Sequence, residues 1–264
     1  MRLGELRGFV FDLDGCIWAG SVLLPGVKEF LACLRQRGKR LLFLTNNSRE
    51  LPESLATRLN RLGVEASSRE VLTALELLGK AISQRFGRTD VLAVGAGAMG
   101  QVLEAEGHRV VPVERWKEAR VVAVGNDPTF DYVKLKAAAQ AVARGAGFVT
   151  VNLDPRLPLE EGEFDPGAGA IAEAVAVASG VRPLVIGKPN PVIFKAALER
   201  LGCEPHEAAM VGDSLNTDIR GGAEAGMVTV WLAAADAKAD SAFHPRLRVA
   251  SFPELLARLD DELR

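Results

Sequence analysis

The sequence predicts an α/β protein built on a mostly parallel sheet with helices on both faces. Two observations carry that prediction. Short apolar runs of strand length alternate with stretches of helical periodicity along almost the whole chain. The runs are apolar at nearly every position, as in strands buried on both faces.

Taken in order, Phe9–Phe11 is the first such run, and it ends in Asp12. Val27, Phe30, Leu31 and Leu34 then recur at i, i+3, i+4 and i+7, a helix that Gly38 stops. Leu41–Leu44 is the next strand; Leu55, Leu59 and Leu62 mark a helix closed by Gly63. Val91–Val94 and Val121–Val124 read as further strands, and Leu135, Ala138, Ala139 and Val142 as a helix before Gly145. Strands follow at Phe148–Val151, Leu184–Ile186, Ala209–Val211 and Val228–Trp231, with helices near Val192–Leu201 and Asp218–Ala225 between the last of them. A strand near Leu247–Val249 and a helix over Pro253–Leu263 complete the pattern.

A chain of 264 residues makes one large domain or two smaller ones. With 48% hydrophobic and 25% charged residues it has an ordinary globular composition, sufficient for a sizeable core. A formal net charge of -2 gives no reason to expect nucleic acid or an acidic membrane as partner. No apolar stretch approaches the ~20 residues that span a bilayer, and the first residues run straight into a strand without a secretory apolar region. Cys16, Cys33 and Cys203 show no ligand spacing, which suits reduced thiols. The expectation is a cytoplasmic protein. Cys33 and Cys203 fall in helical patterns as small apolar residues, and His108, His206 and His244 read as surface residues rather than ligands.

Ligands of open α/β sheets bind at the carboxyl ends of the strands. Three strand ends here carry an unusual set. Asp12 and Asp14 follow the first strand, with Gly15 to let the loop turn. Thr45, Asn46, Asn47 and Ser48 follow the second, a hydroxyl and amides suited to phosphate oxygens. Asp213, with Asp218 five residues on, follows the run ending at Val211, and Lys188 follows Leu184–Ile186. Singly, such residues are turn formers, helix caps or solvated charges. Together they place four acids, a hydroxyl and a lysine where the fold puts ligands, and acids crowded so imply a divalent cation.

These residues resemble the haloacid dehalogenase superfamily, most closely its NagD-like phosphatases of p-nitrophenyl phosphate, sugar phosphates, phosphoglycolate and pyridoxal phosphate. The resemblance runs over nearly the whole chain, through FVFDLDGCIWAG, LPGVKEFL, LLFLTNNS, DPTFDYVKLKAAAQAVARGAGFVTVNLD, PGAGAI, IGKPNPVIFKAAL and MVGDSLNTDIRGG. It implies a Rossmann-like core, residues 1–79 and 184–264, with an inserted α/β cap at 80–183. It further implies that Asp12 is the nucleophile and Asp14 the general acid and base. Thr45 and the amide of Asn46 would hold the phosphoryl group, and Lys188 would neutralise charge on it and on Asp12. Mg2+ would be bound by Asp12, Asp213 and the Asp14 carbonyl, with Asp218 and Asn47 supporting from behind. Asn152, Asp154 and Arg156, in the loop Asn152–Pro158, resemble the cap segment that meets the substrate. The implied reaction is hydrolysis of a small-molecule phosphate ester through an aspartyl phosphate, with p-nitrophenyl phosphate as an artificial substrate; relatives also imply a homodimer through the cap.

Two positions depart from the family pattern. Cys16 stands where Thr is frequent, but Ile17-Trp18 after it matches the subfamily's other version, so Cys16 reads as packing. Val151 replaces the Thr of a cap Thr-Asn-x-Asp. Asp14 argues against a dehalogenase, which lacks it. The insertion point, after the second motif, argues against a phosphomutase. Lys134 and Lys136, in a helical setting, give no hint of the phosphonatase Schiff base.

Two other readings stand beside the phosphatase. Gly95, Gly97 and Gly100 form a GxGxxG after a strand, and a second strand, Val110–Val113, ends at Glu114, the context of a dinucleotide site. Against this NAD-binding reading, about 100 residues is short for a whole dinucleotide domain, and the stretch also resembles the ordinary strand-to-helix turn of these caps. The other alternative is a catalytically silent binding protein on the same fold, which the complete set of acids and the lysine disfavour.

Overall fold

The computed structural model describes residues 3–158, 163–234, 237 and 243–261. Its strands are β1 (Gly8–Phe11), β2 (Trp18–Ala19), β3 (Val22–Leu23), β4 (Arg40–Thr45), β5 (Val71–Thr73), β6 (Asp90–Val94), β7 (Arg109–Val111), β8 (Val121–Val124), β9 (Gly147–Thr150), β10 (Arg156–Pro158), β11 (Phe164–Pro166), β12 (Leu184–Val185), β13 (Ala208–Gly212), β14 (Val228–Leu232) and β15 (Leu247–Val249). Its α-helices are α1 (Val27–Gln36), α2 (Pro52–Arg61), α3 (Leu78–Phe86), α4 (Gly97–Ala105), α5 (Tyr132–Ala143), α6 (Ala168–Ser179), α7 (Pro191–Leu201), α8 (Arg220–Glu224) and α9 (Phe252–Asp261). The chain divides into two compact units, one of Met1–Thr45, Pro52–Leu72 and Lys188–Arg264, the other of Asn46–Leu51 and Thr73–Gly187.

The first unit holds a six-stranded sheet in the order β15-β14-β13-β1-β4-β5. β1 is buried at all four positions because it lies inside the sheet with both faces covered. Phe9 and Phe11, two apart, share one face. They meet Phe30 of α1 edge-on at 6.2–6.4 Å, and Phe11 lies 6.2 Å from Phe43 and 6.4 Å from Phe252 of α9. This aromatic cluster anchors α1 and α9 to the sheet. The parallel register sets Phe11 level with both Val211 and Phe43. The residues after those three, sequence-distant as they are, therefore emerge side by side at the carboxyl edge of the sheet.

The second unit holds a parallel five-stranded sheet, β12-β9-β8-β6-β7. Leu92, Val94, Val122, Val124 and Phe148 pack against Ala137, Ala138, Ala141 and Val142 of α5 and Ile171, Ala172, Val175 and Ala176 of α6. Hydrogen bonds tie 46–51 to this unit. The Ser48 hydroxyl accepts from the Asn126 amide at 2.9 Å, and Asn152 Nδ2 donates to the Asn46 carbonyl at 2.7 Å.

Several expectations need correction. His108 is buried rather than exposed. Its Nδ1 accepts from the Thr89 amide at 3.2 Å, and its Nε2 lies 2.9 Å from the Gly79 carbonyl and 3.1 Å from Ser83 Oγ, so the ring is a satisfied core group. Cys203 lies beyond α7, past the left-handed cap Gly202, not inside the helix. β7 stops at Val111, and Glu114 sits in a 3-10 turn over Val113–Glu118 rather than at a strand end. The helix expected over Asp218–Ala225 starts as a π-helical turn, Leu215–Ile219, before α8. The end of the last predicted helix, Leu263, lies outside the described residues. No helix among the described residues is long and apolar enough to cross a membrane.

The glycine-rich turn at β6 and α4 lacks one trait of a dinucleotide fingerprint. There the third glycine lets helix and strand pack closely. A Cβ built on Gly100 meets nothing within 4 Å, and the nearest atoms to one on Gly95 belong to the flexible Met99 side chain.

Glycines at α6 have the opposite setting. The Gly169 amide donates to the Asp154 carbonyl at 3.0 Å, and the Gly167 amide to the Pro155 carbonyl at 2.9 Å. A Cβ on Gly169 would run into the Leu153 carbonyl, and one on Gly167 into that of Asp154. The PGAGAI run is glycine-bearing for want of space. Gly169→Ala is therefore expected to destabilise the second unit by about 1–3 kcal/mol, as overpacking does. Gly100→Ala, in open space inside α4, should stabilise it by about 0.5–1 kcal/mol. Urea midpoints should move in opposite directions; equal shifts would show that space at Gly169 is not limiting.

Candidate active site

Asp12 is the first residue past β1, and its amide donates to the Val211 carbonyl of β13 at 2.9 Å, extending the sheet by one bond. Its carboxylate points into the protein and is 8% exposed. Lys188, 3% exposed, donates from Nζ to Asp12 Oδ1 at 2.6 Å, to Asp218 Oδ1 at 2.7 Å and to the Leu44 carbonyl of β4 at 3.3 Å. Asp218 is fully buried in the π-helical turn, and its Oδ2 accepts from the Ser214 amide at 3.1 Å. Asp213 follows β13; its carbonyl accepts from Trp231 Nε1 at 2.8 Å, which holds the loop to β14.

Two glycines make room for this cluster. A Cβ on Gly212 would overlap Asp218 Oδ2, and one on Gly15 would overlap Asp213 Oδ2. Gly15 also has φ +87°, a left-handed conformation that side chains disfavour.

The charges do not balance by themselves. Oxygens of Asp12, Asp213 and Asp218 lie within 4.8 Å of one another, against one ammonium. Burial raises the Asp12 carboxyl well above the ordinary range; Lys188 opposes the shift, and Asp218 and Asp213 add to it. Asp213 reaches solvent, yet desolvation of its carboxyl by the surrounding protein, together with Asp218, pushes it up to about 6 against the pull of Lys188. Burial works against the Lys188 charge, but Asp12 and Asp218 outweigh it and hold the ammonium charged. Three carboxylates and one ammonium leave an excess of two negative charges. A divalent cation matches that excess, and hard carboxylate oxygens are the donors magnesium takes. The residues present fit such an ion. Asp218, with one oxygen on Lys188 and the other on a backbone amide, is engaged on both sides.

Asp14 is exposed, and its Oδ1 accepts from the Trp18 indole at 2.8 Å. Cys16 is buried, donates weakly to the Val211 carbonyl at 3.6 Å, and has its thiol pKa raised well above normal by burial first and by Asp12 next. It is an inert packing thiol in this setting. Thr45 ends β4 and is buried.

The other expected site residues belong to the second unit. Asn46 Nδ2 donates to Asp154 Oδ2 at 3.0 Å. Asn152 spends its Nδ2 on the Asn46 carbonyl and its Oδ1 on the Asp154 amide at 2.9 Å. Asn47 Oδ1 accepts from the Arg49 and Glu50 amides, both at 2.8 Å, a local turn ahead of α2. Arg156 is exposed in β10 with its guanidinium 4.1 Å from the Phe164 ring centroid. Direct contact thus joins Asp12, Lys188 and Asp218 in the first unit and Asn46, Asn152 and Asp154 in the second. Sequence reasoning did not single out Trp18, Trp231 or Ser214 for the site. The usable signal was a buried indole, which needs an acceptor for its N–H.

Comparison with known proteins agrees with this geometry. Residues 9–109 match a family model described as haloacid dehalogenase-like hydrolase, and 185–255 one described as HAD-hydrolase-like. The chain is 35% identical over 226 residues to an acid sugar phosphatase of Staphylococcus aureus, covering 86% of each chain. Its fold is similar to that of NagD from E. coli K-12, with TM-score 0.85, 28% identity and coverage of 95% and 98%. It is similar also to a 4-nitrophenylphosphatase from Thermotoga maritima, with TM-score 0.87, 31% identity and coverage of 97% and 98%. Carrying buried acids and a lysine at the strand ends, and matching such relatives over most of its length, the chain belongs to the haloacid dehalogenase-like hydrolases, as a NagD-like phosphoric monoester phosphatase.

Proposed function

We propose that the chain hydrolyses phosphate monoesters of small metabolites by forming an aspartyl phosphate on Asp12. The observation that supports this most directly is the buried contact of Asp12 with Lys188, at 2.6 Å, beside two further acids. A phosphoryl group repels an anionic nucleophile, so the site needs positive charge where the anion arrives. Lys188 supplies one such charge, and its bond to Asp218 fixes where it points. Asp12 and Asp213, with the Asp14 carbonyl, would hold magnesium, whose chemistry is to neutralise phosphoryl oxygens and orient them. Asp12 attacks phosphorus, and Asp14 gives its proton to the departing oxygen. Asp14 then takes a proton from the water that attacks the phosphoryl-enzyme, which releases phosphate and restores Asp12. Splitting one displacement in two lets a fixed carboxylate replace a water that would have to be captured and aligned. The family resemblance supports a place for Thr45 and the Asn46 amide on the phosphoryl oxygens. The sugar phosphatase relative favours phosphorylated sugars among the candidate substrates.

Asp12→Asn keeps the shape and loses the nucleophile. Turnover of p-nitrophenyl phosphate should fall at least a thousandfold, about 4 kcal/mol of barrier, with the circular-dichroism spectrum unchanged. Near-native activity in that variant would remove Asp12 from the mechanism. EDTA should abolish activity and magnesium restore it, and Asp213→Ala should raise the magnesium concentration needed for half-maximal rate. Full activity in chelator would overturn the metal assignment.

In this reading most of the phosphoryl chemistry falls to residues of the first unit, with the Asn46 amide of the second, and substrate choice is left to other groups. We assign it in part to Arg156, an exposed cation. Arg156→Ala should change kcat/KM for sugar phosphates by about tenfold or less, and less for p-nitrophenyl phosphate, which offers few polar groups. A uniform effect across substrates would show that Arg156 does not select among them.

A further inference from the structure

The Asp14 carboxylate has two oxygens, and general acid catalysis needs its proton on one of them, aimed at the leaving oxygen. Asp14 is exposed on a loop, where a carboxyl group is free to turn. One contact restrains it: Trp18 Nε1–H donates to Oδ1 at 2.8 Å, and among the described residues the carboxylate accepts no other hydrogen bond. The indole nitrogen is a donor only, so it fixes Oδ1 as an acceptor. The oxygen left free to hold a proton is then Oδ2.

The donor is itself rigid. Trp18 is fully buried in the core of the first unit, and it opens the β2–β3 hairpin, paired with Leu23. The Arg58 guanidinium stacks 4.2 Å from its ring centroid, and Arg58 in turn donates to the Gly20 carbonyl between the two strands. The Gly15 amide donates to the Trp18 carbonyl at 2.8 Å, and the Leu13 carbonyl accepts from the Ile17 and Trp18 amides at 2.8 and 3.1 Å. Both ends of the Trp18–Asp14 bond are thus held by one short loop. A buried, immobilised donor bonded to an exposed carboxylate is unneeded for solvating that carboxylate, which water reaches already.

We infer that Trp18 is a positioning residue for proton transfer: its indole N–H holds Asp14 so that Oδ2 carries the proton to the leaving oxygen and receives it back from water. In the first step the Asp12–phosphorus bond forms and the ester P–O bond breaks, its electron pair staying on the leaving oxygen, which takes the Oδ2 proton. In the second, water attacks phosphorus, its proton goes to Oδ2, and the bond to Asp12 breaks. The inference rests on Asp14 being the proton carrier.

Leaving-group dependence separates this role from a structural one. p-Nitrophenolate departs readily without a proton, whereas an alkoxide does not. kcat/KM reports the steps through leaving-group departure. It would be measured for p-nitrophenyl phosphate, phenyl phosphate and glycerol 2-phosphate in the native chain, Trp18→Phe and Asp14→Asn. Because Phe leaves space in a packed core, a second variant carries 3-benzothienylalanine at position 18, which keeps the bicyclic shape and lacks the N–H. Both Trp18 variants are expected to lose about 10- to 100-fold on glycerol 2-phosphate, a fraction of a general acid's worth, and less than about threefold on p-nitrophenyl phosphate. Asp14→Asn should show the same selectivity, larger. Equal losses on all three esters in the benzothienyl variant, or none, would overturn the inference while a selective Asp14→Asn left the Asp14 reading in place. An unselective Asp14→Asn would overturn that reading and the inference with it.

Discussion

Lys188 lies between Asp12 and Asp218 with almost no access to water, and the architecture of the first unit's site follows from that arrangement. Burying three ionised groups costs several kcal/mol each unless geometry and further hydrogen bonds repay it. The ammonium therefore takes two carboxylates and the Leu44 carbonyl, and Asp218 takes the Ser214 amide on its other oxygen. Those partners come from β4, from the turn after β13 and from the residue after β1, so the cluster can form only if the three strands keep one register. The same bonds point Asp12 at one place and keep Asp218 from rotating away. A cluster built this way fixes direction more than it adds stability.

What remains unbalanced in the cluster is informative. Burial raises the pKa values of both Asp12 and Asp213, and the neighbouring acids push them further up against the single ammonium of Lys188. A divalent ion relieves that crowding, and an arriving phosphoryl group needs the same positive field. The features that make the site uncomfortable alone are those that suit it to bind cation and anion together.

Close packing without side chains supports both units. Gly15 and Gly212 admit carboxylates where a methyl group would collide, and Gly167 and Gly169 let α6 begin against the backbone of 153–156. In each place a carboxylate or backbone carbonyl oxygen occupies the space a Cβ would need. Gly97 and Gly100, which look in sequence like the most functional glycines of the chain, face open space.

Much of this was legible in the sequence. Strands buried on both faces show as unbroken apolar runs, so the α/β class and most strands could be read from composition and period alone. Asp12, Thr45, Lys188 and Asp213 were legible because ligand groups of this fold gather after strands, and a strand's end shows in a one-dimensional pattern. Short elements such as the β2–β3 hairpin were not, since two-residue strands have no period. The burial of His108, the bond from Asn152 to Asn46 and the indole on Asp14 were hidden for a different reason. Each depends on which groups meet in space, and partners such as Gly79 and His108, or Asn46 and Asn152, are 29 and 106 residues apart. The sequence by itself determined which groups stand at the strand ends and hence the chemistry available. Only the tertiary structure decided which of them touch, because strand register and side-chain packing set distances that residue order does not encode.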